Sequence, residues 1–163
     1  MAVLAPFLVI FAFILELPNV ETTQRTLDSL DASFCHAGLE VIYPDLDIDK
    51  CLIVSKELKL REKISTVWKA PQIYFSGARK DNALKKGNIQ GKTLTDYHPP
   101  MPPPKTGFHR YQFMLFEQPP GTSVSLTDQE KSRGKWDLQA FITRFGLGTP
   151  VSTVQFLTQN FKD

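Results

Sequence analysis

Residues 107–118 constrain the fold more than any other part of the chain, since an aromatic and apolar run of this kind is typical of a buried strand. Side chains alternate along a strand, so every second residue shares a face. One face is predicted to carry His109, Tyr111, Phe113 and Leu115, and the other Phe108, Arg110, Gln112, Met114 and Phe116.

His109 and Tyr111 begin the first of these faces and lie about 7 Å apart on it. The face continues as apolar side chains beyond them. Binding pockets commonly place a few polar groups at the rim of an apolar surface, so the pair is a candidate site for a small ligand. The alternative is a satisfied core pair that binds nothing.

The N-terminal segment is the second strong signal. Residues 2–15 carry no charge, and a run of about 14 apolar residues is too short to span a bilayer but fits the core of a signal peptide. We expect residues 1–22 to be a signal peptide and residues 23–163 to form a single domain. A buried N-terminal helix is the alternative. Export places the protein outside the cell, or in endomembrane or lysosomal compartments.

The two cysteines, Cys35 and Cys51, agree with export. A pair of cysteines in an exported domain favours one disulfide, which would close a loop of about 16 residues and contribute about 3 kcal/mol. Two buried free thiols are the alternative, because sequence spacing does not show whether the Cα atoms approach.

Short β-branched runs at residues 39–43, 51–54 and 72–75 predict early strands, and residues 151–161 predict a last one. Between them, Asp137 is predicted to cap a helix that Gly146 ends in a left-handed conformation. The helix would bury residues at i, i+3, i+4 and i+7, namely Leu138, Phe141, Ile142 and Phe145. Strands dominate this pattern, which favours a β-sandwich with one C-terminal helix.

The charge balance argues against nucleic acid as a partner. The chain has 19 Lys and Arg against 17 Asp and Glu, a net charge of +2, without the clustered basic face that phosphate backbones require. A local group of lysines between the predicted strands suggests a solvated connection instead: Lys80, Lys85, Lys86 and Lys92.

Metal-binding and catalytic patterns are also missing from the sequence. Asp45, Asp47 and Asp49 imitate the start of a calcium loop, but Lys50 stands where Gly is needed and Lys56 where Glu is needed. A solvated acidic turn is the better interpretation. The chain has no nucleophile elbow, no zinc spacing and no correct phosphate loop. We expect no enzyme activity, no metal and no cofactor.

Several segments resemble the phosphatidylethanolamine-binding protein family. Residues 107–111, Gly-Phe-His-Arg-Tyr, are similar to its second signature. Residues 68–78 resemble the segment before its first signature, residues 84–91 the connection between the two signatures, and residues 133–150 the C-terminal helix and turn. The resemblance runs from about Cys35 onward and is greatest to the secreted type. It implies an antiparallel β-sandwich that binds phosphate or phosphoethanolamine head groups and signalling proteins.

The first family signature itself is missing. It is an Asp-Pro-Asp-x-Pro run followed by His-Trp, yet only residues 79–83 separate the two family-like flanks. The clean junction favours a skipped exon, and thus a splice variant, or an error in the gene structure over gradual divergence. The missing residues supply the other wall of the family's anion pocket, so the domain is predicted to be incomplete and its binding impaired.

The resemblance also implies roles for individual residues. His109 would donate a hydrogen bond to the anion and Tyr111 would offer its hydroxyl. Pro103 and Pro104, in the stiff proline-rich run of residues 99–104, would form the rim of the pocket. An SH3 ligand is the alternative for this run. Two other functions remain open: a kinase-pathway regulator that acts through protein contacts, and a carboxypeptidase inhibitor.

Overall fold

A computed structural model describes residues 7–14, 27–78, 87, 91–133 and 136–163. The strands in chain order are β1 Phe7–Ile14, β2 Leu39–Tyr43, β3 Leu46–Ile48, β4 Leu52–Ile53, β5 Gln72–Phe75, β6 His109–Glu117 and β7 Ser152–Thr158. The α-helices are α1 Ser29–Phe34, α2 Leu60–Glu62, α3 Asp128–Lys131 and α4 Leu138–Phe145. A 3-10 turn at Glu57–Lys59 precedes α2, and a π-helical turn at Lys63–Val67 continues it.

The strands form two sheets, one of order β1-β6-β7-β4 and one of order β3-β2-β5. Strand β6 runs antiparallel to both β1 and β7, whereas β4 runs parallel to β7. The predicted strands at residues 39–43 and 72–75 are confirmed. Because β4 pairs in parallel, the first sheet is mixed, and this differs from the purely antiparallel arrangement that the resemblance implied.

The predicted alternation of faces along β6 is confirmed. Tyr111, Phe113 and Leu115 lie in a core cluster that also contains buried side chains of β2 and β5, so this core sits between the two sheets. Met114 and Phe116 point the other way, into a second cluster that contains Phe141 of α4. Burial of side chains of this size contributes roughly 1.5–3 kcal/mol each. Strand β6 is therefore covered on both faces.

Helix α4 forms as its sequence predicts. The Asp137 carboxylate accepts a hydrogen bond of 2.9 Å from the backbone N–H of Ala140, which caps the first turn. Gly146 ends the helix with φ +62°, a left-handed conformation that favours glycine. The apolar face of the helix buries Phe141.

The sequence pattern did not predict α1, α2 or α3, because each is too short to show an apolar helical period. Capping explains two of them. The Asp28 carboxylate accepts from the backbone N–H of Asp31 at 2.7 Å in α1. Thr127 and Glu130 form a reciprocal capping box in α3.

The acidic stretch at residues 45–49 contains β3 as well as the expected turn. Asp45, Asp47 and Asp49 are exposed, as predicted for solvated carboxylates, but Ile48 between them is fully buried. Ile48 pairs with Val41 of β2 across a tight antiparallel connection. A single buried isoleucine is too weak a pattern to predict this strand from sequence.

A disulfide joins Cys35 to Cys51, which confirms the predicted pairing and rules out the alternative of free thiols. The Cα atoms are 5.5 Å apart and the cysteines are 16 residues apart in sequence. The bridge links the end of α1 to the residue before β4. The sulfur of Cys35 also accepts from the backbone N–H of Gln155 in β7, at 3.2 Å.

A buried polar network lies on the second face of β6. Arg110 holds the buried Asp31 carboxylate with its Nε and Nη2 atoms, the latter at 3.1 Å. Gln155 donates to the same carboxylate at 2.8 Å and accepts from Gln112 at 2.9 Å. The network attaches α1 to the sheet, and its members satisfy one another away from water.

The N-terminal apolar run contains β1, which pairs with β6 from Phe7 opposite Glu117 to Ile14 opposite Arg110. Residues 7–14 thus form a strand, not the buried helix considered as the alternative. Removal of residues 1–22 as a signal peptide stays a prediction. In the part of the chain that the structure describes, no helix has the length and apolar character to cross a membrane. The junction at residues 79–83 lies outside the described residues.

We predict that a chain starting at residue 23 is less stable than the full chain. Loss of β1 leaves one edge of β6 unpaired, and exposed strand edges favour self-association. The melting temperature should fall by about 5 °C or more, and gel filtration should show dimers or larger species. A chain starting at residue 7 keeps β1 and is the matched control. An unchanged melting temperature and monomeric elution for the shorter chain would contradict the prediction.

We also predict that the protein secreted by cells carries no free thiol. Alkylation should leave its intact mass unchanged, and alkylation after reduction should add two labels, one each on Cys35 and Cys51. Replacing both cysteines with serine should cost about 3 kcal/mol of unfolding free energy, because the loop they close is then unconstrained in the unfolded chain. Labelled thiols without reduction would show the prediction to be wrong.

Candidate functional site

His109 stands at the start of β6 and is only 1% exposed. Its Nε2 atom contacts the hydroxyl of Thr106, which in turn donates to the backbone carbonyl of Pro103 at 2.8 Å. A hydroxyl has one hydrogen, so Thr106 must accept from His109. We therefore assign the hydrogen of the neutral imidazole to Nε2.

Burial lowers the pKa of His109, because the charged form loses its hydration. The ring is then neutral at pH 7, and its Nδ1 atom is an acceptor. An anion could therefore receive a hydrogen bond from His109 in two ways. The ring can turn its Nε2 hydrogen away from Thr106, or it can take up a second proton.

Tyr111 lies two residues further on the same face, as the strand pattern predicted. Its ring is 2% exposed and stacks on Phe156 of β7, with centroids 5.3 Å apart and planes inclined by 15°. Burial raises the pKa of Tyr111 above its ordinary value, nearby Tyr97 raises it further, and a backbone hydrogen bond from Met101 opposes both. The phenol thus stays protonated and is held beneath the proline-rich segment.

Two further tyrosines belong to the same region. The hydroxyls of Tyr43 and Tyr97 are 2.7 Å apart, and Tyr43 stacks on Trp68 with centroids 5.5 Å apart. Burial raises the pKa of Tyr97 to about 12, and burial together with the neighbouring Tyr97 also raises the pKa of Tyr43. Sequence reasoning missed both tyrosines, since they come from distant segments. The position of Tyr97 directly before the prolines was the one available signal.

The prolines predicted to form the rim lie on the loop that precedes Thr106 and β6. Pro103 and Pro104 have exposed side chains, and the carbonyl of Pro103 anchors Thr106. Pro102, which was not predicted to be part of the site, is buried, and its carbonyl accepts from Asn160 at 2.8 Å. The segment therefore contacts His109 through the hydroxyl of Thr106.

The disulfide pair lies at a different place. A cavity of about 320 Å³ is lined there by Cys35, Cys51, His36, Asp49 and Lys50 among others, and neither His109 nor Tyr111 reaches it. In the described part of the chain, no group of three or more His, Cys, Asp or Glu side chains is placed to hold a metal ion. The His109 imidazole and the nearby tyrosine phenols are therefore the groups from which we derive a candidate function.

Comparison with known proteins agrees with the sequence motifs. The profile of the family described as phosphatidylethanolamine-binding protein matches residues 18–156. The chain is 33% identical over 86 residues to the carboxypeptidase Y inhibitor of Saccharomyces cerevisiae, across 53% of this chain and 39% of the yeast protein. It is 36% identical over 64 residues to the 26 kDa secreted antigen of Toxocara canis, across 37% of this chain and 24% of the antigen. These matches span well under half the length of either relative.

The buried state of His109 predicts a pH-dependent stability. Its pKa is lower in the folded chain than in the unfolded one, so between that lowered pKa and about pH 6.5 the unfolded chain binds a proton that the folded chain does not. The free energy of unfolding should therefore fall as the pH is lowered through 6.5, by at most about 1.4 kcal/mol per pH unit from this group.

Urea unfolding at pH 7.5 and pH 5.5 measures this dependence. The variant His109→Gln should lose less stability between the two pH values than the wild-type chain. His36→Gln replaces an exposed histidine and is the matched control. The same pH dependence in His109→Gln and wild type would contradict the assignment of a neutral, buried imidazole.

Proposed function

Since the chain belongs to the phosphatidylethanolamine-binding protein family, we propose that it is a secreted, non-catalytic protein that binds phosphate or phosphoethanolamine head groups at His109 and Tyr111. Within the family we assign it to the secreted type, phosphatidylethanolamine-binding protein 4, with a role in modulating signalling proteins. The observation that carries the proposal is a buried imidazole on the same strand face as a buried phenol. The disulfide and the similarity to a secreted antigen support export.

The chemistry of the two side chains suits an anionic group. His109 carries a hydrogen on Nε2, and an approaching anion would favour a second proton on the ring by offsetting the cost of burial. Tyr111 keeps its hydroxyl hydrogen because its pKa is raised. Hydrogen bonds from such groups to an anion are stronger away from water.

The proposed affinity is low, because the missing first signature would supply acidic and histidine side chains for the opposite wall. His109 and Tyr111 then provide only one side of a site. Retention of the apolar leader favours secretion over a cytosolic kinase-pathway role, although contacts with signalling proteins remain part of the proposal.

Carboxypeptidase inhibition is the second candidate function, and one comparison favours it. The chain shares 33% identity over 86 residues with the carboxypeptidase Y inhibitor of yeast. Exposed Met101, together with exposed Pro103 and Pro104 further along the same segment, would offer an apolar surface to a protease. A carboxypeptidase Y activity assay with added protein separates this function from head-group binding.

We predict that His109→Ala weakens the binding of phosphate or phosphoethanolamine by about 1–3 kcal/mol, since a buried hydrogen-bonding group is lost. Titration calorimetry at pH 6.5 measures the change. His36→Ala removes an exposed imidazole near the disulfide and should leave the affinity unchanged. Equal affinities for His109→Ala and wild type would contradict the proposal and indicate that His109 and Tyr111 only pack in the core.

We further predict that restoring a family-like first signature between Ala78 and Leu84 raises both stability and affinity. Each buried backbone group left without a strand partner costs about 1–3 kcal/mol, and the stability of a whole domain is only about 5–15 kcal/mol. Thermal unfolding and phosphate titration of the two chains side by side test this. Comparable melting temperatures and affinities in the two chains would contradict the prediction, because the shortened chain would then fold and bind without the missing segment.

A further inference from the structure

The segment after β7 returns to the rim of the candidate site and is held there by side-chain contacts. Asn160 donates to the carbonyl of Pro102 at 2.8 Å. The Asp163 carboxylate accepts the backbone N–H of Lys105 with both oxygens, at 3.1 and 3.0 Å. Asn160 and Asp163 therefore hold the rim segment, residues 102–105, at its first and last residues.

Two cationic side chains, Lys56 and Arg61, lie near Asp163. The ammonium group of Lys56 donates to the main-chain oxygen of Asp163. Arg61 is close enough for the charge of Asp163 to oppose the lowering of its pKa by burial. Arg61 is itself positioned by a hydrogen bond of 2.9 Å to the carbonyl of Val54 and by the ring of Phe108, 5.1 Å from its guanidinium carbon.

These contacts have the composition of an anion site: one backbone N–H aimed at a carboxylate, with two cationic side chains nearby. Lys105 has φ +61°, a left-handed conformation that non-glycine residues seldom adopt. Its N–H is presented to Asp163 in this conformation. The next residue, Thr106, is hydrogen-bonded to the Nε2 atom of His109. The Lys105 N–H that binds the Asp163 carboxylate is therefore next in sequence to a residue that contacts His109.

We propose that the backbone N–H of Lys105, with Lys56 and Arg61, forms a second anion site that the Asp163 carboxylate occupies as an intramolecular substitute for a phosphate group. A phosphate, free or on a lipid head group, binds there by displacing Asp163. Displacement removes one of the two points that fasten the rim over His109. Asp163 is thus an autoinhibitory residue, and this role adds to the proposed binding at His109 without requiring it.

The solvent exposure of Lys56, Lys105 and Asp163 allows a phosphate to replace the Asp163 carboxylate. Lys56 and Lys105 are exposed and Asp163 is half-buried, so an incoming phosphate reaches the cations without unfolding the sheet. The residues from 159 onward belong to no helix or strand. Their release leaves the pairing of β7, which ends at Thr158, intact, and the coupling between Asp163 and a bound phosphate can be measured as a change in affinity.

The test titrates inorganic phosphate into the full chain while the amide resonance of Lys105 is followed by nuclear magnetic resonance. Asp163→Asn removes the competing charge and should bind phosphate about 5- to 150-fold more tightly than wild type. Asp128→Asn removes an exposed carboxylate paired with Lys131 and is the control for net charge. Asp163→Ser is a second variant that keeps the test decisive if the first does not fold.

A second pair of variants tests the cations. In the Asp163→Asn chain, Lys56→Gln should weaken phosphate binding, whereas Lys59→Gln, at an exposed lysine three residues away, should not. Vesicles with and without phosphatidic acid, used in place of inorganic phosphate, show whether the site accepts a lipid head group or a free phosphate alone.

Two results would overturn the inference: an unmoved Lys105 amide in the Asp163 variants, or equal affinities in Asp163→Asn and Asp128→Asn. The variant His109→Ala/Asp163→Asn separates this inference from the proposed function. If it shifts the Lys105 amide as Asp163→Asn does, the second site stands even when His109 proves to bind nothing.

Discussion

The antiparallel pairing of β6 with β7 is the interaction on which the rest of the structure depends. Seven residue pairs join the strands, from His109 opposite Thr158 to Leu115 opposite Ser152. This register decides which β6 side chains enter the core between the sheets and which meet α4, because a shift of one residue would exchange the two faces. It also places His109 beside the end of β7, where the chain turns back toward the proline-rich rim.

The two ends of the chain meet the sheet through β6 and β7. In the chain that keeps residues 7–14, strand β1 covers the free edge of β6, and the Asn160 and Asp163 side chains hold the rim beside His109. The polar network of Asp31, Arg110 and Gln155 and the disulfide attach α1 and β4 to the same strand pair. The residues after β7 therefore hold the loop whose Thr106 contacts His109.

Much of the fold could be predicted because its signals are local. The caps of α4, the short β-branched strands and the alternation along β6 each depend on residues close in sequence. Helices α1 and α3 could not be predicted in the same way, since they bury little apolar surface and have no helical period. The parallel partner of β4 depends on a contact across about 100 residues, as between Leu52 and Phe156.

The sequence motifs indicated the family, and the strand period predicted the two faces of β6 and the shared face of His109 and Tyr111, because motif and period are properties of neighbouring residues. The surroundings of His109 and Tyr111 follow from the three-dimensional fold. Thr106 accepts a hydrogen bond from the imidazole, and Tyr97, from a segment before the prolines, lies near Tyr111. The Asp163 carboxylate accepts the N–H of Lys105. These contacts join residues that are far apart in the chain or that meet only when a loop closes, and a one-dimensional pattern carries no information about such distances.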